Sequence, residues 1–222
     1  MKNLVIVHGI GGIEREMYFQ HLKSFCENLG LKAFMPSLGS YRNGATYELW
    51  KKYFDENIAS HINSDTIFVG QSVGTNFAIK YLVERNLNPA VYISMAGPYD
   101  ILKFRTDAPE STRNFAPYAK TFKPSQNEFD NFKAKPFAKY SLFCDNDTFF
   151  EQSNLENYSE AIGSNAILVK GKMHFGFEEV PELENLIEKL VNKTSRKLIQ
   201  CARNYKDFSA KTTIYAIKKS GI

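Results

Sequence analysis

The sequence predicts an α/β fold: a mostly parallel sheet of about six strands with helices on both faces. Three observations predict it. Short apolar, β-rich runs alternate with longer amphipathic stretches along most of the 222 residues, the pattern of strands joined by helical crossovers. The residues best suited to chemistry fall just after predicted strands, where a parallel sheet binds its ligands. One of these junctions reads Gly70-Gln71-Ser72-Val73-Gly74, set between an apolar run and a helix-like stretch.

Leu4–His8 is the first strand. Met17–Leu29 follows as a helix with Phe19, Leu22, Phe25, Cys26 and Leu29 on one face, and Gly30 stops it. Leu31–Met35 is a short strand ended by Pro36. Tyr47–His61 is a second helix, its apolar positions being Leu49, Trp50, Tyr53, Phe54 and Ile58. Thr66–Val69 and Thr75–Arg85 are the strand and helix on either side of the glycine-flanked serine, and Ala90–Met95 is the next strand. Residues 97–136 carry five prolines and read as irregular, with one helix near Gln126–Ala134. Tyr140–Cys144 is a strand, Gln152–Ile162 a helix, Ala166–Lys170 a strand and Glu182–Asn192 a final helix. The sequence has no internal repeat and no low-complexity segment.

The length suits one well-buried domain and is short for two. No apolar run approaches the ~18–20 residues of a membrane span. The N-terminus lacks the long apolar core and small-residue cleavage site of a signal peptide and reads as a strand. Cys26, Cys144 and Cys201 lack metal-ligand spacing, and an odd count without CxxC fits reduced thiols and a cytoplasmic location. The net charge of +4 is unevenly placed: residues 193–222 hold eight Lys/Arg and one Asp, hence +7, and the other 192 residues carry −3. The expected division is a domain over 1–192 and a basic, solvated extension over 193–222. The body shows no nucleic-acid footprint.

The G-x-S-x-G pattern in a strand–turn–helix context is that of the nucleophile elbow of α/β-hydrolases, where a sharp turn thrusts the Ser hydroxyl above the sheet and leaves no room for side chains beside it. A serine nucleophile needs a base, an orienting acid and oxyanion donors. The chain order in such folds is Ser, acid, His, and His174 is the only histidine after Ser72. It follows a predicted strand within Gly171-Lys172-Met173-His174-Phe175-Gly176. The acid follows the strand Tyr140–Cys144, where Asp145 and Asp147 both stand. One orients the imidazole and the other caps the loop.

His8-Gly9-Ile10-Gly11-Gly12 follows the first strand, and a glycine-rich turn there lets backbone N–H groups approach a developing oxyanion. The expected donors are the amides of Ile10 and Val73. The same glycines lack the G-x-G-x-x-G spacing of a dinucleotide loop. His8 is expected to pack at the strand end, and His21 and His61 to lie on helix surfaces. Most of the 18 Phe and 12 Tyr are core. Tyr99 and Phe175 are the aromatic residues best placed to touch substrate.

With these residues in hand, the chain resembles the small serine hydrolases of the retinoblastoma-binding-protein-nine and YdeN family over about residues 2–190. The matching pieces are Val5-Ile6-Val7-His8-Gly9, Met35-Pro36 with Trp50 on the next helix, Gly70-Gln71-Ser72-Val73-Gly74, Asp145-Asn146-Asp147-Thr148-Phe149-Phe150 and His174-Phe175. The resemblance implies an α/β-hydrolase core with a minimal lid and a Ser72–Asp147–His174 triad. It implies no single substrate. Two positions depart from the family pattern: Met173 stands where Gly often precedes the His, and Thr148 where Pro is common. The 96–136 segment is somewhat long for the family and could supply a partial lid.

The expected activity is hydrolysis of a carboxylic ester, or less readily an amide, of a small molecule through an acyl-enzyme, with no metal and no organic cofactor. The alternatives from other classes are a weak or inactive protein-binding module on the same scaffold, and an acyltransferase with the same triad.

Overall fold

The computed structural model describes residues 1–12, 17–110, 112–175 and 179–193. In chain order the elements are β1 (Asn3–Val7), α1 (Met17–Asn28), β2 (Lys32–Phe34), α2 (Tyr47–Asn57), β3 (Thr66–Gln71), α3 (Val73–Glu84), β4 (Val91–Met95), α4 (Thr112–Ala119), α5 (Gln126–Ala134), β5 (Ala138–Cys144), α6 (Gln152–Ile162) and β6 (Asn165–Val169). A last helix, α7, occupies 181–193. The chain divides into two compact units, Met1–Glu184 and Asn185–Ile222. The basic segment 194–222 lies outside the described residues.

The six strands form one sheet in the order β2-β1-β3-β4-β5-β6, and every pairing is parallel. From β1 the chain steps outward to β2, then returns to the other side of β1 with β3 and continues in that direction. The order therefore reverses between β1 and β3, and a crevice opens at the carboxyl ends of strands at such a point. The register keeps those ends level: Val7 pairs with Gly70, Gln71 with Met95, Met95 with Leu142 and Cys144 with Val169. Residues that follow β1, β3, β5 and β6 in sequence thus meet along one edge.

The central strands are apolar because they are covered. All six residues of β3 and all five of β4 are buried. Helix α3 lies in the middle of the molecule, with Val73 through Ile79, Tyr81 and Leu82 buried. Its Phe77 and Tyr81 join Trp50 and Phe54 of α2 in one large core, with Trp50 set edge-on to Phe77 at 5.7 Å and to Phe122 at 4.6 Å. Burying rings of this size is the main source of stability in such a domain. Local signals fix the helix ends: Thr46 accepts the Leu49 N–H, and Ser125 with Glu128 forms a capping box before α5.

Two elements differ from the sequence expectation. Helix α2 ends at Asn57, and Ala59–His61 is a separate 3₁₀ turn. There the Asn57 amide donates to the Tyr53 carbonyl at 2.9 Å, while Ile58 and Ile62 are both buried. The 97–136 segment contains a second helix, α4, that its prolines concealed. Pro117 lies inside α4, past its first turn, so it removes an N–H that would otherwise bond within the helix, and α4 ends two residues later, at Ala119. Among the described residues no helix is long and apolar enough to cross a membrane.

Candidate active site

Ser72 sits in the turn between β3 and α3 with φ 51° and ψ −122°, a backbone conformation that non-glycine residues rarely adopt. Its neighbours hold it there. The Ser72 N–H donates to the Met95 carbonyl at 2.8 Å, and the Thr75 hydroxyl donates to the Ser72 carbonyl at 2.6 Å. The flanking glycines answer to space. A Cβ on Gly70 would stand 2.9 Å from the Gly74 carbonyl oxygen, and one on Gly74 would stand 2.5 Å from the carbonyl oxygen of Val7 and 2.7 Å from that of His8. The elbow is therefore pressed directly against the end of β1.

Asp147 follows β5 and is 4% exposed. One carboxylate oxygen, Oδ1, accepts the N–H groups of Phe149 and Phe150 at 2.8 and 2.9 Å. The other, Oδ2, meets Nδ1 of His174 at 2.6 Å. On the far side of the imidazole, Nε2 of His174 lies 2.9 Å from Ser72 Oγ. The line Asp147–His174–Ser72 is thus continuous, although its ends are far apart in sequence. Burial by itself would raise the pKa of Asp147. The imidazole of His174 and the two amide donors outweigh it and hold the carboxyl below its ordinary value.

Asp145 does something else. Its side chain is exposed, and Oδ1 accepts the Gly171 N–H at 2.9 Å. Asn146 accepts the Met173 N–H at 2.9 Å. Three consecutive side chains of one loop therefore grip the loop that carries His174. A fourth hold comes from the elbow, where Gln71 Nε2 donates to the His174 carbonyl at 3.0 Å. Met173 and Phe175, on either side of His174, have φ of 47° and 58°. A glycine before the histidine would sit in that left-handed region without strain, which gives the Met173 departure a physical meaning.

His8 is fully buried at the end of β1. Its Nδ1–H donates to the Gly9 carbonyl at 2.6 Å, and Nε2 accepts the Leu38 N–H at 3.0 Å. Burial pushes its pKa down to about 4, against a smaller upward pull from the Gly9 carbonyl. The group is a neutral packing residue, set edge-on to Trp50. The turn after it is closed by Gly12 N–H on the Gly9 carbonyl at 3.2 Å, and the Ile10 carbonyl is taken by the Tyr41 N–H at 3.0 Å. Val73 is the first residue of α3, and the first amides of a helix have no intrahelical acceptor.

The two aromatic residues singled out in the sequence stand apart from this line. Phe175, expected to touch substrate, is 1% exposed. Tyr99 lines a small hollow with Asp100, Lys123, Pro124, Gln126 and Phe129, which includes none of Ser72, Asp147 and His174. Among the described residues, the ring nearest the imidazole is Phe149, 4.7 Å from it between centroids. The sequence signal for it was adjacency: Phe149 follows the acidic loop directly. Cys26 and Cys144 are buried free thiols, and Cys144 Sγ lies 4.0 Å from Asp147 Oδ2. Cys201 lies outside the described residues.

No protein-family model and no curated protein matches the sequence. Solved structures do match. The ydeN gene product from B. subtilis aligns over 85% of this chain and 98% of its own, with 15% identity and a TM-score of 0.68. A monoacylglycerol lipase of Paleococcus ferrophilus aligns over 85% and 93%, with 12% identity and a TM-score of 0.62. A structure from a study of carboxylesterases of the thaumarchaeon Nitrososphaera gargenis aligns over 88% and 92%, with 12% identity and a TM-score of 0.63. With six parallel strands in this order and these structures superposing on nearly their whole lengths, the chain has the α/β-hydrolase fold.

Proposed function

We propose that the protein is a serine hydrolase that cleaves a carboxylic ester of a small molecule through an acyl-enzyme. The observation that carries this reading is the hydrogen-bonded line from Asp147 through His174 to Ser72, at 2.6 and 2.9 Å. Ser72 Oγ attacks the carbonyl carbon while Nε2 of His174 takes its proton. Asp147 holds Nδ1–H, fixes the tautomer and stabilises the imidazolium that forms. The negative oxygen of the tetrahedral intermediate is received by the amides of Ile10 and Val73. His174 then gives its proton to the departing alcohol, and a water activated by the same imidazole releases the acid from Ser72. The site needs no metal or organic cofactor for these steps. Lipases and esterases among the structural neighbours support ester chemistry in particular.

The test is hydrolysis of p-nitrophenyl acetate and butyrate by the full chain and by Ser72→Ala and His174→Ala. The reading predicts turnover that falls at least about a thousandfold in each variant, with circular dichroism and unfolding midpoint little changed. Equal hydrolysis by wild type and Ser72→Ala would refute it.

A further inference from the structure

Four aromatic side chains that the proposed mechanism does not use stand half-buried near this line: Tyr41, Phe104, Phe115 and Phe149. They come from four places in the chain, namely the 3₁₀ turn Tyr41–Asn43, the loop after β4, helix α4 and the loop after β5. Their rings follow one another. Phe149 lies 4.7 Å from His174 and 6.0 Å from Phe115, and Phe115 lies 5.8 Å from Tyr41. Phe104 meets Phe115 edge-on at 5.5 Å. Backbone bonds fix both ends of the row: Arg105 N–H donates to the Phe149 carbonyl at 2.9 Å, and Tyr41 N–H donates to the Ile10 carbonyl at 3.0 Å. One end touches the imidazole, and the other is tied to a residue proposed to hold the oxyanion.

The row lies at a seam. Phe104 and Phe149 pack against the small cluster of Phe143, Phe150 and Leu155, whereas Tyr41 and Phe115 pack against the rim of the large core. Rings serving only the interior would be covered, as Phe150 and Trp50 are. These four keep part of their apolar surface in water, which an apolar ligand group would relieve. The one hydrogen-bonding side chain in the row is Tyr41, whose hydroxyl accepts from Arg42 Nε at 3.3 Å.

We infer that this row is the specificity wall of the site, and that the substrate is an ester bearing an apolar group, an alkyl chain or an aromatic ring, laid along Phe149, Phe115 and Tyr41. The inference rests on the serine-hydrolase reading above. It is tested with two ester series on the full chain. In one the acyl group grows from acetate to hexanoate on p-nitrophenol. In the other the alcohol of an acetate ester grows from ethyl to hexyl and benzyl. A methylene in an apolar pocket is worth about tenfold or more in discrimination, so kcat/KM should rise at least about tenfold along one series. The series that rises tells whether the acyl or the alcohol side lies on the wall. In Phe115→Ala, and independently in Tyr41→Ala, the gain should shrink to under about threefold, with folding checked by unfolding midpoint and by labelling of Ser72 with a fluorophosphonate probe. Two variants on separate elements keep the outcome decisive if one fails to fold. Hydrolysis with flat series, or a gain that survives both substitutions, overturns the inference alone. No hydrolysis and no labelling of folded wild-type protein overturns it together with the reading beneath it.

Discussion

At the scale of single residues, the site depends on positions that tolerate nothing else. Gly74 is the sharpest case, since a methyl group there would stand 2.5 Å from the Val7 carbonyl oxygen, backbone that cannot swing aside. Gly74→Ala is predicted to lower stability by about 1–3 kcal/mol, the usual range for overpacking, as read by urea unfolding. The two aspartates of the β5 loop are predicted to separate cleanly. Asp147→Asn removes the charge against the imidazole and should reduce kcat by about a thousandfold or more, whereas Asp145→Asn, remote from the ring, should cost less than about tenfold. Ester turnover by the two purified variants decides it. Elbow spacing and chain order, which are local and ordinal signals, single out Ser72 and His174 in the sequence. They leave Asp145 and Asp147 both open, since both follow β5. Only the fold turns one toward Nδ1 and the other toward the Gly171 N–H. The burial of Phe175 and its left-handed backbone leave no mark in the sequence.

At the scale of elements, two loops behave as one part. Asp145, Asn146 and Asp147 each hold a different point of the 171–174 segment, and Gln71 adds a bond from the elbow. Asn146 touches neither Ser72 nor the imidazole, so it acts on His174 through the loop. Asn146→Ala is predicted to lower kcat about tenfold by loosening the imidazole. KM should change little, and Asn146→Asp should restore most of the rate because its oxygen can still accept the Met173 N–H. A matched loss of stability with unchanged kcat would contradict this. Element boundaries were mostly legible, since apolar periodicity and caps are written locally; α5 and α6 fall where the spacing put them. Helix α4 was not legible, because a proline usually ends or breaks a helix, and Pro117 lies inside this one. With α4 unseen, the row through Phe115 could not be anticipated.

At the scale of the whole molecule, the reversal of strand order between β1 and β3 brings the elbow, the glycine turn and the two loops to one edge. Strand–helix alternation announced a parallel sheet, but the strand order is a long-range property with no local signal. The same packing gives the molecule an acid sensitivity. His8 is fully buried beneath the site edge, with its pKa lowered from 6.5 to about 4. Its folded pKa lies below the unfolded one, so between these values the unfolded chain binds more protons and stability rises with pH. The contribution is complete above pH 6.5 and is lost as pH falls toward 4, by roughly 3 kcal/mol at 1.36 kcal/mol per unit. Unfolding free energies measured across that window should show the slope, and His8→Gln should flatten it. The central claim, an activated serine at the elbow, is tested most directly by treating the full chain with a fluorophosphonate probe and locating the adduct by mass spectrometry. A single adduct on Ser72 is predicted, absent from Ser72→Ala and strongly slowed in His174→Ala. A folded protein that takes up no probe, or takes it up equally without His174, would contradict the account.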